Sequence, residues 1–157
     1  MNFTIRLAEK KDMQSVIDLI TELAVFEKEP DAVEITVADL VRDGFSGKPM
    51  FQVFVAEQDN KIIGIALFYE RYSTWKGRTI HLEDLIVTKN KQKIGAGKAL
   101  YTAVLKYAYD NNFNRVAWEL IDWNTNAIEF YKSTGATYLN NWSVVQMNKE
   151  NLEKFIQ

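Results

Sequence analysis

The stretch TIHLEDLIVT (Thr79–Thr88), followed by QKIGAGK (Gln92–Lys98) and ALYTAVLKYAY (Ala99–Tyr109), decides how this chain folds. Its first part is rich in β-branched and apolar residues and reads as a strand. Its last part places Leu100, Ala103, Val104, Tyr107 and Ala108 at helical spacing, so a helix is expected from Gly95 to Tyr109. Between them sits Q-x-x-G-x-G, with Lys91, Lys93 and Lys98 around it. Glycines there let backbone come close to a ligand, and the N–H groups of a first helical turn form an anion cradle. A Walker A loop is excluded, because no glycine stands near Lys91 and Ala99 replaces the magnesium-binding hydroxyl. A dinucleotide fingerprint is excluded as well, because Leu100 stands where its third glycine belongs. Taken alone, the motif still has two readings: a phosphate cradle, or a glycine-punctuated helix start with solvated lysines.

Working outward, Thr4 to Leu7 is a short strand and Asp12 to Val25 an amphipathic helix with Val16, Ile17, Ile20, Leu23 and Ala24 on one face. An acidic loop, Phe26 to Glu34, follows. Thr36-x-x-Asp39 opens a short helix in the manner of a capping box, and Gly44 ends it. Phe51–Glu57 and Ile62–Tyr72 flank Asp59-Asn60 and read as a hairpin. Beyond the central stretch, Asn114–Leu120 reads as a strand, Asn124–Ser133 as a helix, and Thr137–Asn148 as one or two closing strands. The expected fold is α/β (α+β): one domain over residues 1–157, with a central mixed, mostly antiparallel sheet flanked by helices.

Composition narrows the function. The chain has 157 residues, 47% of them hydrophobic, with 19 Lys+Arg against 21 Asp+Glu. That makes a core-forming globular domain without the basic excess a nucleic-acid backbone would call for. Cysteine is absent, which removes disulfides, thiolate metal sites and cysteine nucleophiles. A single histidine, His81, cannot build a multi-histidine metal centre. The N-terminal MNFTIRLAEKKDM shows neither a secretory nor a transit pattern, and no run reaches the length of a membrane helix, so the cytoplasm is expected. The sequons at Asn2 and Asn141 then count as chance matches.

Three places could carry chemistry. Glu83 and Asp84 are adjacent within an apolar strand, so alternation sends them to opposite faces unless a bulge intervenes. A carboxylate turned to an apolar face has a raised pKa and suits general-base work; the plain alternative is a charge pair near a strand end. His81 shares the face of Glu83, where a lone histidine is more often a packing group. Asp122-Trp-Asn124 precedes a short helix for which Asn124 is a good N-cap, and Tyr131 lies two turns on along the same face. A phenol there serves packing, or protonates a leaving group of comparable pKa.

Together, the strand, Q-x-x-G-x-G, helix and W-N…F-Y-K-x-x-G-A series resembles the GNAT N-acetyltransferase superfamily over the whole chain. Leu23-Ala-x-Phe-Glu27, Asp43-Gly-Phe45, Pro49-x-Phe51, Leu82-Glu-Asp84 and Phe130-Tyr-Lys132 are similar to its diamine acetyltransferase branch. Tyr72-Ser-Thr-Trp-Lys-Gly-Arg-Thr79 and Asp122-Trp-Asn124 look most like the thialysine N-epsilon-acetyltransferases within it.

The resemblance implies acetyl transfer from acetyl-CoA to the primary amine of a small molecule, without a metal, nucleic acid or membrane, by a cytoplasmic homodimer. It implies that the backbone of Leu85, Ile86 and Val87 holds the pantetheine arm. Gln92, Lys93, Ile94, Gly95, Ala96, Gly97 and Lys98 would cradle the pyrophosphate, with Asn124, Thr125, Asn126 and Ala127 flanking the cofactor. Tyr131 would be the general acid. Glu83 would contact the amine and act as base, directly or through water, with Phe26, Glu27 and Trp75 walling the acceptor pocket. Two departures stand out: polyamine-preferring members are acidic where Ser73, Asn140 and Asn141 are neutral, which weakens selection for a long polycation. The other readings are a polyamine acetyltransferase, a peptide or protein acetyltransferase, and a non-catalytic acyl-CoA-binding module.

Overall fold

The computed structural model describes residues 2–157. They divide into two compact units, one running to Glu119 and the other Leu120–Gln157.

The first unit is built on a five-stranded sheet in the order β1-β2-β3-β4-β5: Thr4–Leu7, Gln52–Gln58, Lys61–Ser73, Gly77–Val87 and Val116–Ala117. The first four pair antiparallel and β5 joins β4 in parallel, so the sheet is mixed as expected. Asp59 and Asn60 both take left-handed conformations at the β2–β3 turn, the geometry that short hairpins ask of Asn and Asp. Helices α1 (Met13–Phe26) and α2 (Val37–Gly44) cover one face. Met13, Val16 and Leu19 of α1 and Leu40 of α2 bury themselves there against Val53, Val55, Ile65, Leu67 and Ile86. The opposite face, carrying Phe54 and Phe68, stacks on Tyr107 of α3 (Ala96–Asp110). Thr36 caps α2 in a full capping box with Asp39.

Arg6 joins the first strand to the first helix. Its guanidinium grips both oxygens of buried Asp12 at 2.7 and 3.1 Å and donates from Nε to Glu57 at 2.6 Å. The Asp12 carboxyl is held below its ordinary value chiefly by this guanidinium. A bidentate pair of this kind fixes geometry as well as charge, and it sets where α1 begins.

Two readings of the sequence need correction. The strand expected over Asn114–Leu120 is only Val116–Ala117, because β4 offers it partners only at Ile80 and His81. Trp118, expected inside it, instead meets Tyr101 edge-on. The closing strands expected over Thr137–Asn148 are absent: the second unit contains α4 (Thr125–Ser133) and α5 (Lys149–Ile156) but no strand among its described residues. The Val144-Val145 segment has β propensity, yet propensity without a ladder partner makes no strand. α5 itself went unread, although Asn148 caps it and Lys149–Glu153 and Lys154–Glu150 pair at i,i+4 spacing.

Gly64 of β3 is a tight point of this sheet. A Cβ there would lie 2.8 Å from the Ile86 carbonyl oxygen and 3.2 Å from Leu100 of α3. The sheet and helix can approach this closely only over a glycine. Gly64→Ala is therefore expected to destabilise the protein by about 1–3 kcal/mol, read from the urea midpoint at unchanged m-value.

Candidate active site

The β3–β4 ladder pairs Leu67 with Asp84 and Phe68 with Leu82, leaving Glu83 as the extra residue of a β-bulge. Without the bulge, Leu82, Asp84 and Ile86 would share one face. With it, Leu82 sits opposite Phe68 on the α3 side, while Asp84 joins Leu67 and Ile86 on the α1 side. Glu83 turns to that same side, where its Oε2 accepts a hydrogen bond from Tyr69 Oη at 2.8 Å and lies 3.4 Å from His81 Nε2. The two neighbouring carboxylates thus address one space. Glu27, the residue that ends α1, adds a third negative group near Asp84.

Their environments differ sharply. His81 and Tyr69 hold the Glu83 carboxyl below its ordinary value. Asp84 accepts no hydrogen bond among the described residues; burial first, and the charges of Glu83 and Glu27 next, push it from 3.8 up to about 6. Burial also raises Glu27. The raised carboxyl expected of one member of the pair is found at Asp84, because the bulge gives Glu83 two polar partners and the Asp84 carboxylate none. Tyr69 is pushed to about 12 by burial and by Glu83, so it stays a donor. Sequence reasoning missed Tyr69; its only signal is that it closes the apolar run Ile62 to Tyr69.

Phe26, half exposed, closes the same end of α1 beside Glu27. Trp75 is 79% exposed in the turn after β3, where Ser73 Oγ accepts from the N–H groups of Trp75 and Lys76.

At the other end of β4 the cradle residues gather. Glu22 of α1 accepts from Lys89 N–H at 2.8 Å, and Gln92 Nε2 donates to the Val87 carbonyl, so the loop is tied to helix and strand. Gln92 is thereby engaged in the loop itself. Lys93 and Gly95 both take left-handed backbone conformations, with φ of 67° and 91°. Gly95 is the N-cap of α3, and a Cβ on it would meet nothing within 4 Å. A Cβ on Gly97 would reach only Val87, at 3.7 Å. The first-turn N–H groups of Ala96, Gly97 and Lys98 thus open on clear space, with exposed Ile94 and the lysines about them, and a phosphate fits there. Leu85, Ile86 and Val87 lie where β4 has parted from β5, whose pairing stops at His81. That edge suits an extended ligand chain.

In the second unit, Asn124 caps α4 by accepting from Ala127 N–H at 3.3 Å, with Thr125 and Asn126 between them. Tyr131 is half-buried on the same helix, its ring 5.2 Å from that of Phe130.

Residues 13–136 match the Acetyltransferase (GNAT) family, and the chain belongs to it. It is an acetyltransferase of the GNAT type, a family whose co-substrate is acetyl-CoA. The chain is 36% identical to a thialysine N-epsilon-acetyltransferase of Bos taurus over 140 residues, 84% of this chain and 82% of that one. It is 34% identical over 160 residues to the spermidine/spermine N(1)-acetyltransferase-like protein 1 of Homo sapiens, covering 96% of this chain but only 23% of that protein. An integron cassette protein from the mobile metagenome of V. cholerae shares the fold at a TM-score of 0.81 and 22% identity, over 100% of this chain and 99% of that one. Among the described residues, no helix is long and apolar enough to cross a membrane.

The Asp84 environment has a measurable consequence. A carboxyl raised from 3.8 to about 6 costs the folded state stability above pH 6, and that cost disappears as pH falls towards 4. Asp84→Asn is expected to stabilise the protein by about 1–3 kcal/mol at pH 7.5. In paired urea titrations the gap to the native protein should shrink at pH 4.5; a constant gap would contradict the raised value.

Proposed function

We propose that this chain transfers the acetyl group of acetyl-CoA directly to a primary amine of a small molecule of the thialysine, lysine-analogue or diamine kind. One observation carries the reading: the bulge at Glu83 turns two adjacent carboxylates, one low and one raised, to the side where α1 ends in Phe26 and Glu27. Glu83, charged at working pH, holds the incoming ammonium. Asp84, with the greater proton affinity, helps drain its proton to water. The free amine nitrogen then attacks the thioester carbon, the nitrogen gives up its second proton to water, the C–S bond breaks, and the thiolate leaves with the bonding pair. Tyr131 protonates that thiolate and is reprotonated from solvent. Backbone N–H groups of Leu85–Val87 stabilise the transient oxyanion. Without cysteine in the chain no S-acetyl enzyme forms, so both substrates bind together.

The cofactor assignments follow the same reading: Gln92 to Lys98 at the pyrophosphate and Leu85 to Val87 along the pantetheine, with Asn124 to Ala127 also assigned to the cofactor on the resemblance. A cytoplasmic homodimer is proposed on the resemblance to the diamine branch. The second reading, a spermidine/spermine acetyltransferase, is favoured by the clustering of Glu27, Glu83 and Asp84, one carboxylate more than a single ammonium needs. Against it, Ser73 spends its hydroxyl on the β3–β4 turn, and Asn140 and Asn141 are neutral, so a distant ammonium would have to rely on Glu29, Asp31 or Glu34.

Thiol release from acetyl-CoA across thialysine, lysine, putrescine, spermidine and spermine is the direct test. Thialysine or another short amine should lead in kcat/KM. A tenfold lead for spermine would move the assignment to the polyamine reading, and no thiol release with any amine would leave an acyl-CoA-binding module.

Tyr131→Phe removes one hydroxyl and little packing. With chemistry rate-limiting, kcat is expected to fall by about 10²–10⁴ while KM for acetyl-CoA changes little. A variant that keeps most of its kcat would reduce Tyr131 to a packing role.

A further inference from the structure

Behind Glu83 lies a polar chain that the reaction as described does not use. His81 is 7% exposed, paired across the ladder with Tyr69, its ring centroid 5.3 Å from the tyrosine's. Its Nδ1 lies 3.4 Å from Arg71 Nη1, and its Nε2 lies 3.4 Å from Glu83 Oε2. Arg71 is itself fixed at the backbone, where Thr79 Oγ1 donates to its carbonyl at 2.8 Å. A guanidinium can only donate. With Nδ1 as the accepting nitrogen, the neutral ring carries its proton on Nε2, 3.4 Å from the Glu83 carboxylate. The same Glu83 oxygen also takes the Tyr69 hydroxyl, so both donors pull on Oε2 and leave Oε1 for a ligand. The charged groups around this chain are Arg71 on β3, Asp84 on β4, Glu27 at the end of α1 and Glu119 just after β5, of which only Arg71 is positive.

We infer that His81 is a positioning residue: Arg71 locks it in the Nε2–H tautomer, and that N–H together with the Tyr69 hydroxyl holds Glu83 with its second oxygen turned to the acceptor amine. Glu83 sits in a bulge, where no ladder partner restrains it, so its side chain depends on these two donors for direction. The inference rests on Glu83 contacting the amine, as proposed above.

Because the chain contains one histidine, ¹⁵N-histidine labelling of the full chain gives a single ring whose nitrogen shifts report the tautomer. At pH 8 the ring should be Nε2–H, and Arg71→Met should turn it into a tautomer mixture. A native ring in the Nδ1–H form overturns the inference. Kinetics are read with the panel amine of highest kcat/KM. His81→Phe keeps the ring stacked on Tyr69 but removes the N–H. It should raise KM for the amine about tenfold, with kcat and acetyl-CoA affinity within about threefold. His81→Gln, which returns an N–H of similar reach, should recover most of that loss. If Glu83→Gln raises the amine KM but His81→Phe does not, His81 only packs and the inference fails alone. If Glu83→Gln leaves the amine KM unchanged, the contact between Glu83 and the amine fails, and the positioning role falls with it.

Discussion

One extra residue in one strand carries the site. The bulge at Glu83 reverses the alternation of β4, so the aromatic packing of Phe68 and Leu82 against α3 and the acidic pair beside α1 can coexist in eleven residues of strand. A regular ladder could not supply both. With Leu82 on the α3 side, Asp84 would follow it there, into the layer built by Phe54, Phe68 and Tyr107. A carboxylate in that layer would have neither partner nor water. The bulge costs the ladder one pairing and turns that charge towards the open end of α1.

Helix α1 is the second fixed element, and it serves both ends of β4. Its start is set by Asp12 in the grip of Arg6. Ten residues on from that anchor, Glu22 caps the Lys89 turn that leads into the glycine loop. Five residues further, Glu27 faces Asp84. A rigid helix of 14 residues thus keeps the loop and the acidic cluster at a constant separation. The Arg6–Asp12 pair, with Asp12 buried and Arg6 partly exposed, fixes where α1 starts, as a bidentate ion pair can through its geometry.

Much of this was legible in the residues. The period of Met13 to Phe26, the Thr36/Asp39 capping box, the Asp59-Asn60 turn and the strand–glycine loop–helix series each state a local preference that the tertiary structure agrees with. What misled were features fixed by partners rather than by local sequence. β propensity in Val144-Val145 has no ladder to join, and Asn114–Leu120 is cut short by the length of β4 that meets it. The carboxylates were the hardest case. Glu83 and Asp84 read correctly as the acidic pair, but a bulge is a statement about register between two strands, and one strand's composition does not contain it. Tyr69 was missed as a partner of Glu83 for the same reason, since only the register sets it beside the bulge, whereas alternation within β4 already placed His81 on the face of Glu83.

The division of labour between two adjacent carboxylates follows from that register. Glu83 and Asp84 have nearly the same intrinsic acidity. Two donors lower one, while burial beside two like charges raises the other to about 6. A single carboxylate cannot do both tasks well: the anion that best holds an ammonium is the one least inclined to take its proton. On the reading proposed above, Glu83 would attract the cation as the group that stays charged, and Asp84 would take up a proton as the group whose affinity is closer to working pH. A donor supplied to Asp84 would lower its proton affinity and remove that difference.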